Sequence, residues 1–268
     1  MNFRSIPIYL FLIIIFLFSF LPVIWLFLAS VDLAATQTTK VPEYLTLINF
    51  NKAFSGRSLN WIANSIIIAV VTSTLVLVIC TLAAYSFSRL NFFGKNFILF
   101  GVLLLRIIPI SVFILPVYIF FSKVGLVNTL TSVIISLTIL GLPFPLLLMK
   151  GFYDSIPIVF EEAAWLDGCS RIKTIFKVLL PQCGPGLAVV WFMTFMTTWG
   201  EFQIPLVLLR KMDMMPLSVG IFTAYGEHGV VNFGLLSSLS ILYAIPPVIM
   251  YVFIQKYMVK GMVGYVKG

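Results

Sequence analysis

Charge is scarce in this chain: 10% of its 268 residues are Asp, Glu, Lys or Arg, against 61% that are hydrophobic. That excludes an ordinary water-soluble domain, which carries far more polar surface. Histidine occurs once, as His228, with no cysteine or clustered carboxylate near it, so the pattern disfavours a metal site. The three cysteines, Cys80, Cys169 and Cys183, are odd in number and lack CxxC spacing. No structural disulfide is expected from them. The chain also has no GxxxxGK[ST] phosphate loop and no acidic metal-ligand set, so it binds no nucleotide cofactor by any motif it carries. One histidine and scattered carboxylates do not supply the convergent acid, base or metal constellation of an intramembrane enzyme. The net charge of +8 comes without a basic cluster interleaved with exposed aromatics, which argues against a nucleic-acid partner.

What is present is long apolar runs, with a mean hydropathy of +1.11 and 26 Phe. A helix needs about 18 to 20 apolar residues to cross a hydrocarbon core roughly 30 Å thick, since each residue rises about 1.5 Å. Six stretches qualify: 6–29, 62–87, 97–121, 130–149, 186–209 and 235–258. Helices satisfy their own backbone groups in lipid, and the alternation of barrel strands is absent. The fold class expected is an all-α integral membrane protein of six transmembrane helices, forming a single transmembrane domain over 1–268. The first stretch is too long for a signal-peptide h-region of about 7 to 15 residues and reads as a mature helix.

Six spans place both termini on one side. With that side inside, ten Lys and Arg fall in inner segments and six in outer ones, which puts both termini in the cytoplasm. The remaining positive charge suits contact with anionic lipid headgroups. The outer segment 31–61 reads as a capping structure or interfacial helix, and Gly125 and Asn128 mark a tight outer turn.

The inner segment 150–185 is different, because hydropathy collapses there. Ser155 and Pro157 are start signals for a short helix with Glu161 and Glu162 early in it, where the helix dipole favours negative charge. Gly168 is its natural stop, Ser170 can cap a second helix, and Pro181 is expected to end that helix. The second helix separates Arg171, Lys173 and Lys177 from Ile172, Ile175, Phe176 and Leu179. The result is a helix, an elbow and a helix at the membrane surface, with Ala163 and Ala164 small enough for close approach by another protein.

Glu162-Ala163-Ala164, then Gly168, then Leu180-Pro181 resemble the EAA motif of ATP-binding-cassette importer permeases. The Arg89-Leu90-Asn91-Phe92 turn, the Gly151 to Pro157 run and the ending from Lys260 to Gly268 resemble the carbohydrate-uptake, maltose-type branch. This resemblance covers essentially the whole chain and implies the type I importer permease fold. It further implies that the helix ending at Gly168 is a coupling helix seated on a separate ATPase, with Glu161, Glu162, Ala163, Ala164, Asp167, Gly168, Leu180 and Pro181 as the coupling residues. The implied partners are a second related permease, two ATPase subunits that use ATP and Mg, and an extracytoplasmic solute-binding protein. The implied cargo is a sugar or oligosaccharide, with another polar solute such as a glycerol phosphate as the alternative. The C-terminal tail, by the same resemblance, reaches toward the ATPase dimer.

Four residues are candidates for a substrate path. Arg106 lies inside the third stretch, where a charge costs at least about 2.5 to 3.5 kcal/mol at a helix centre unless it faces the bundle interior or reaches the headgroups. Trp199, Glu201 and Phe202 belong to a Trp-Gly-Glu-Phe run that resembles the family's Trp-Asn-Glu-Phe pattern, with glycine in place of asparagine. Trp199, Phe202 and Tyr225 could stack on a sugar ring, although aromatics are 15% of the chain and packing is the plainer reading for each. An ion-coupled carrier is the competing class; it would need relay carboxylates within its spans, and apart from Glu201 they fall in loops. Pro109, Pro116, Pro143, Pro145, Pro205, Pro246 and Pro247 all fall within the apolar stretches, where each removes a backbone donor and can kink its helix.

Overall fold

The computed structural model describes residues 6–226 and 231–266, so His228, Arg4 and Lys267 lie outside the described residues, as does the side chain of Tyr225. The secondary structure of the described residues is entirely helical. In chain order the helices are α1 (Ile6–Ser30), α2 (Ile48–Ala53), α3 (Gly56–Arg89), α4 (Lys95–Leu105), α5 (Ile110–Lys123), α6 (Leu130–Gly141) and α7 (Pro143–Asp154). Then come α8 (Val159–Leu166), α9 (Arg171–Thr174), a π-helical turn (Ile175–Leu179), α10 (Leu180–Gln182) and α11 (Gly184–Trp199). The chain closes with α12 (Gln203–Leu208), a 3₁₀ turn (Met212–Met214), α13 (Leu217–Gly226) and α14 (Phe233–Val266).

α3 is the mast of the bundle. Its 34 residues contain no proline and no internal glycine, so nothing interrupts the hydrogen-bond ladder. At about 1.5 Å per residue it is about 50 Å long, well beyond the roughly 30 Å hydrocarbon core, so it must project from the membrane. Residues spaced three and four apart, Trp61, Ser65, Ile68, Ala69, Thr72, Val76, Cys80 and Ala84, are buried along one face. Each of the three core clusters takes residues from that face. Trp61 and Ile68 join Phe121, Leu137, Ile204, Leu217 and Leu239 at one end, and Ala69 joins Phe195 and Trp199 in the middle. Val76, Cys80, Ala84 and Tyr85 pack on Leu146, Met149, Tyr153, Leu179 and Val190 toward the other end. The opposite face, with Ile66, Val70, Val78 and Leu82, is apolar and exposed, as suits contact with lipid.

α1 is apolar and exposed over most of its length and is anchored only near its end. There the Trp25 ring meets Phe233 edge to face at 6.3 Å, and the Ser30 carbonyl accepts hydrogen bonds from Asn49 Nδ2 at 3.1 Å and Ser238 Oγ at 3.4 Å.

Three of the apolar stretches are not single helices. The stretch 97–121 forms α4 and α5, bent by 99° at Arg106 to Pro109. Pro109 cannot donate a hydrogen bond and disfavours helical geometry in the residue before it, so the ladder stops and restarts at Ile110. The stretch 130–149 forms α6 and α7, bent by 50° where Pro143 opens the second helix. The stretch 186–209 ends its first helix at Trp199; after Gly200 and Glu201 a separate short helix, α12, begins. A further bend of 84° separates Arg171–Gln182 from α11, next to Pro185. Proline does not break every helix, since Pro116 lies within α5 and Pro246 and Pro247 within α14. Among the described residues three helices are singly long and apolar enough to cross a membrane, and counting each bent pair as one span gives up to six.

Candidate functional site

α8 carries the geometry of the polar segment. It begins two residues after Pro157, and Glu161 and Glu162 stand in its first turn. Its end is a complete Schellman arrangement. The Gly168 amide donates to the Trp165 carbonyl at 3.0 Å and the Cys169 amide to the Ala164 carbonyl at 2.9 Å, with Gly168 at φ +80°. A residue with a Cβ pays a steric penalty at that φ, so glycine fits the turn. Ser170 then caps α9, its hydroxyl accepting from the Lys173 amide at 3.4 Å.

Pro181 does not end the second helix as expected. It lies inside α10, just beyond the π-helical turn Ile175–Leu179, and the helical run continues to Gln182. A proline cannot donate to the carbonyl four residues back, and the wider π register takes up the mismatch over one turn.

The elbow divides its residues by direction. Glu162, Ala163, Asp167 and Gly168 are exposed, and Leu166 is 90% exposed, with Val159 at 64% beside it. Ala164 is buried, Leu180 packs partly into the core and Pro181 is exposed. Glu161, expected on the contact face, is instead fully buried. Its place on the inward face of α8 points it back into the bundle, where Arg89 at the end of α3 meets it, Nε to Oε1, at 2.5 Å. Arg89 also donates from Nη2 to the Ile156 carbonyl at 2.7 Å and from Nη1 to Ser88 Oγ at 3.3 Å. Ser88 Oγ donates in turn to Asp154 Oδ1 at 2.6 Å, and Lys150 Nζ pairs with Asp154 Oδ2 at 2.5 Å. Burial alone pushes the Asp154 carboxyl up, but Lys150, Ser88 and Arg89 together outweigh it and hold the group below the usual carboxylate range. Sequence reasoning missed Arg89 as a member of this site, because in a short basic turn it reads as a topology signal. The pairing depends on the long-range fold.

The substrate-path candidates separate into two groups. Arg106 and Glu201 line one cavity of about 500 Å³, together with Pro143, Phe144, Phe192 and Thr197. The Arg106 guanidinium lies 4.1 Å from the centre of the Phe144 ring. Glu201 turns Oε1 to the start of α12, accepting from the amides of Gln203 at 2.9 Å and Ile204 at 3.2 Å, so it caps that helix. Trp199 is not on this wall. It is buried in a stack, 5.6 Å from Phe195 and 5.5 Å from Tyr243 between ring centres. Its Nε1 donates to the Tyr243 carbonyl, and the Tyr243 hydroxyl donates back to the Trp199 carbonyl at 3.0 Å. Phe202 packs edge to face on Phe222 at 5.2 Å, away from that cavity.

An all-helical, multi-spanning bundle with a polar elbow at one end is that of a polytopic membrane protein. Residues 77–264 match the family described as binding-protein-dependent transport system inner membrane component, and the chain belongs to that family. It is 32% identical to the sulfoquinovosyl glycerol transport system permease protein SmoH of Agrobacterium fabrum, over 92% of this chain and 88% of that protein. It is also 32% identical to the trehalose/maltose transport system permease protein MalG of Thermococcus litoralis, over 92% of this chain and 91% of that one. Among solved structures, a chain of a bacterial ABC transporter involved in the import of the acidic polysaccharide alginate superposes with a TM-score of 0.84 at 22% identity, covering 96% of this chain and 98% of that one. The fold is therefore that of the type I ABC importer permease. The protein is a multi-pass permease subunit of the prokaryotic cytoplasmic membrane and is not itself catalytic.

Proposed function

We propose that this chain is one half of the translocation pathway of an importer for a sugar or small oligosaccharide, paired with a second, related permease. In this reading the chain crosses six times, with bends at Pro109 and Pro143 and a break after Trp199, and both termini lie in the cytoplasm, in keeping with the excess of inner Lys and Arg. Two ATPase subunits dock from the cytoplasmic side, and an extracytoplasmic binding protein delivers the cargo. Both carbohydrate permeases at 32% identity support that cargo class.

The observation that carries the reading is the elbow itself. An eight-residue helix closed by a Schellman turn offers Val159, Ala163 and Leu166 as an exposed apolar ridge, with Glu162 and Asp167 at its rim. In this reading the ridge fills a cleft on the ATPase, and Glu162, Ala163, Asp167 and Gly168 make the contact. Ala164 and Leu180 hold the elbow on the bundle, and exposed Pro181 stands at its edge. Closing of the ATPase pair around ATP drives the two elbows together, and the bundles rock between inward- and outward-facing arrangements. The cavity bounded by Arg106 and Glu201 lies on the path, where a guanidinium donor and a carboxylate acceptor suit hydroxyl-rich cargo.

Reconstitution tests this. The chain, its partner permease and the ATPase subunits in liposomes, with binding protein inside or outside, should accumulate sugar only with ATP on the elbow side. Glu162→Lys should abolish uptake while the chain remains inserted. Uptake by this chain alone under an ion gradient contradicts the reading.

A further inference from the structure

We infer that Arg89 and Glu161 form a rigid joint that makes α3 move as one body with the elbow, so that α3 carries displacement across the membrane. The inference rests on α8 being the ATPase-docking helix. Three observations lead to it. The first is the joint itself: Glu161 is fully buried on α8, Arg89 is the last residue of α3, and the pair meets at 2.5 Å with the Arg89 side chain 10% exposed. Arg89 also holds the Ile156 carbonyl, just before α8 begins, so the guanidinium grips both the entry and the first turn of the docking helix. A point contact could swivel; two anchoring bonds from one planar group resist rotation.

The second observation is bracing beside the joint. Tyr85, one turn back from Arg89, packs edge to face on Tyr153 at 6.4 Å, and the adjacent Ser88 hydroxyl donates to Asp154. The end of α3 is thereby fixed to α7 as well as to α8.

The third is the opposite end of the same helix. Trp61 Nε1 donates to the Met212 carbonyl at 2.7 Å, and Asn64 Nδ2 donates to the carbonyls of Asp213 and Met215 at 3.0 and 3.2 Å. Ser65 Oγ accepts from the Leu217 amide at 2.7 Å. The 29 residues from Trp61 to Arg89 span about 42 Å of unbroken helix. Each of the other apolar stretches between α3 and α14 has a bend or a break, whereas α3 is clamped at both ends. It thus ties the elbow to the segment 212–217, on the face where a binding protein would arrive, and makes Arg89 and Glu161 positioning residues for coupling.

The test uses the whole complex in lipid nanodiscs or liposomes, with sugar uptake and ATP hydrolysis measured on the same preparation. Arg89→Gln and Glu161→Gln should each leave the ATPase subunits co-purifying while raising ATP hydrolysed per sugar moved by at least about tenfold. The exchanged pair, Arg89→Glu with Glu161→Arg, should recover a good part of the wild-type ratio. Unchanged ratios in both single variants, with the ATPases still bound, overturn the joint but leave the docking reading intact. Failure of the wild-type chain to co-purify with any ATPase overturns the docking reading instead. Should the variants not assemble, spin labels carried by unnatural amino acids at Phe160 on α8, outside the docking ridge, and at Ile79 of the otherwise native chain decide the matter. Their separation should stay constant between nucleotide-free and ATP-trapped states, and a shift of several ångströms refutes rigid transmission.

Discussion

Gly168 offers a graded test of whether the elbow's shape matters. The residue stands at φ +80° between α8 and α9, and a Cβ built on it would meet nothing within 4 Å. An alanine there is therefore paid in backbone conformation, free of collision within this chain. An L-residue in the left-handed region costs about 1–2 kcal/mol, asparagine somewhat less, and a β-branched residue more. One to two kcal/mol shifts a conformational ratio by roughly 5- to 30-fold, so the turned elbow of Gly168→Ala loses that much weight against unturned alternatives. Two hydrogen bonds go with it, Gly168 to Trp165 and Cys169 to Ala164. The expected order of sugar uptake in the reconstituted complex is Gly, then Asn, then Ala, then Val. Membrane insertion, followed by fluorescence of a C-terminal tag, should be equal in all four. If Val transports as well as Gly, or if Asn is no better than Val, the left-handed turn is not what the docking helix requires.

Gly220 is a steric counterpart: a Cβ there would lie 2.3 Å from Trp61 Cδ2, so Gly220→Ala must displace the ring that holds the Met212 carbonyl. Overpacking of this kind costs about 1–3 kcal/mol, and the melting temperature of the detergent-purified chain should fall measurably. Arg106→Ala should weaken sugar transport by roughly ten- to hundredfold, the loss of a charged hydrogen bond worth about 1.5–3 kcal/mol, while the melting temperature moves little. A substantial loss of melting temperature would assign Arg106 to packing on Phe144 instead. Asp154 predicts a pH effect. Its carboxyl is held below the usual range, so the stability it contributes is complete above its unfolded pKa of about 3.9 and is lost as pH falls through the folded value. Asp154→Asn should therefore lower stability at neutral pH, by at most about 1 kcal/mol for so exposed a pair, flatten the acid side of the profile and leave the acid limit little altered.

The membrane class was legible because composition alone carries it, and the type I permease fold follows from residues spread over the chain. The elbow was legible for a local reason. A short helix with early glutamates, a glycine stop and a serine cap is written in consecutive residues, and Gly168 and Ser170 occupy those positions. What eluded sequence reading was non-local or depended on direction. Hydropathy cannot tell a straight span from a bent one, so the 99° bend at Arg106 to Pro109 was hidden inside one apolar run, although Pro109 was its local cause. Adjacent Glu161 and Glu162 look alike in a sequence, yet helical rotation sends one inward to Arg89 and the other to solvent. Trp199 and Glu201 are two residues apart, and the helix ending at Trp199 gives them different surroundings.

The most direct measurement places a photo-crosslinking amino acid at Leu166 in intact cells and in the purified complex. Covalent capture of an ATPase subunit, together with protection of position 166 from membrane-impermeant reagents added outside, is the expected result. Labelling of that position from the outer surface, or capture of lipid alone in the purified complex, would contradict the account.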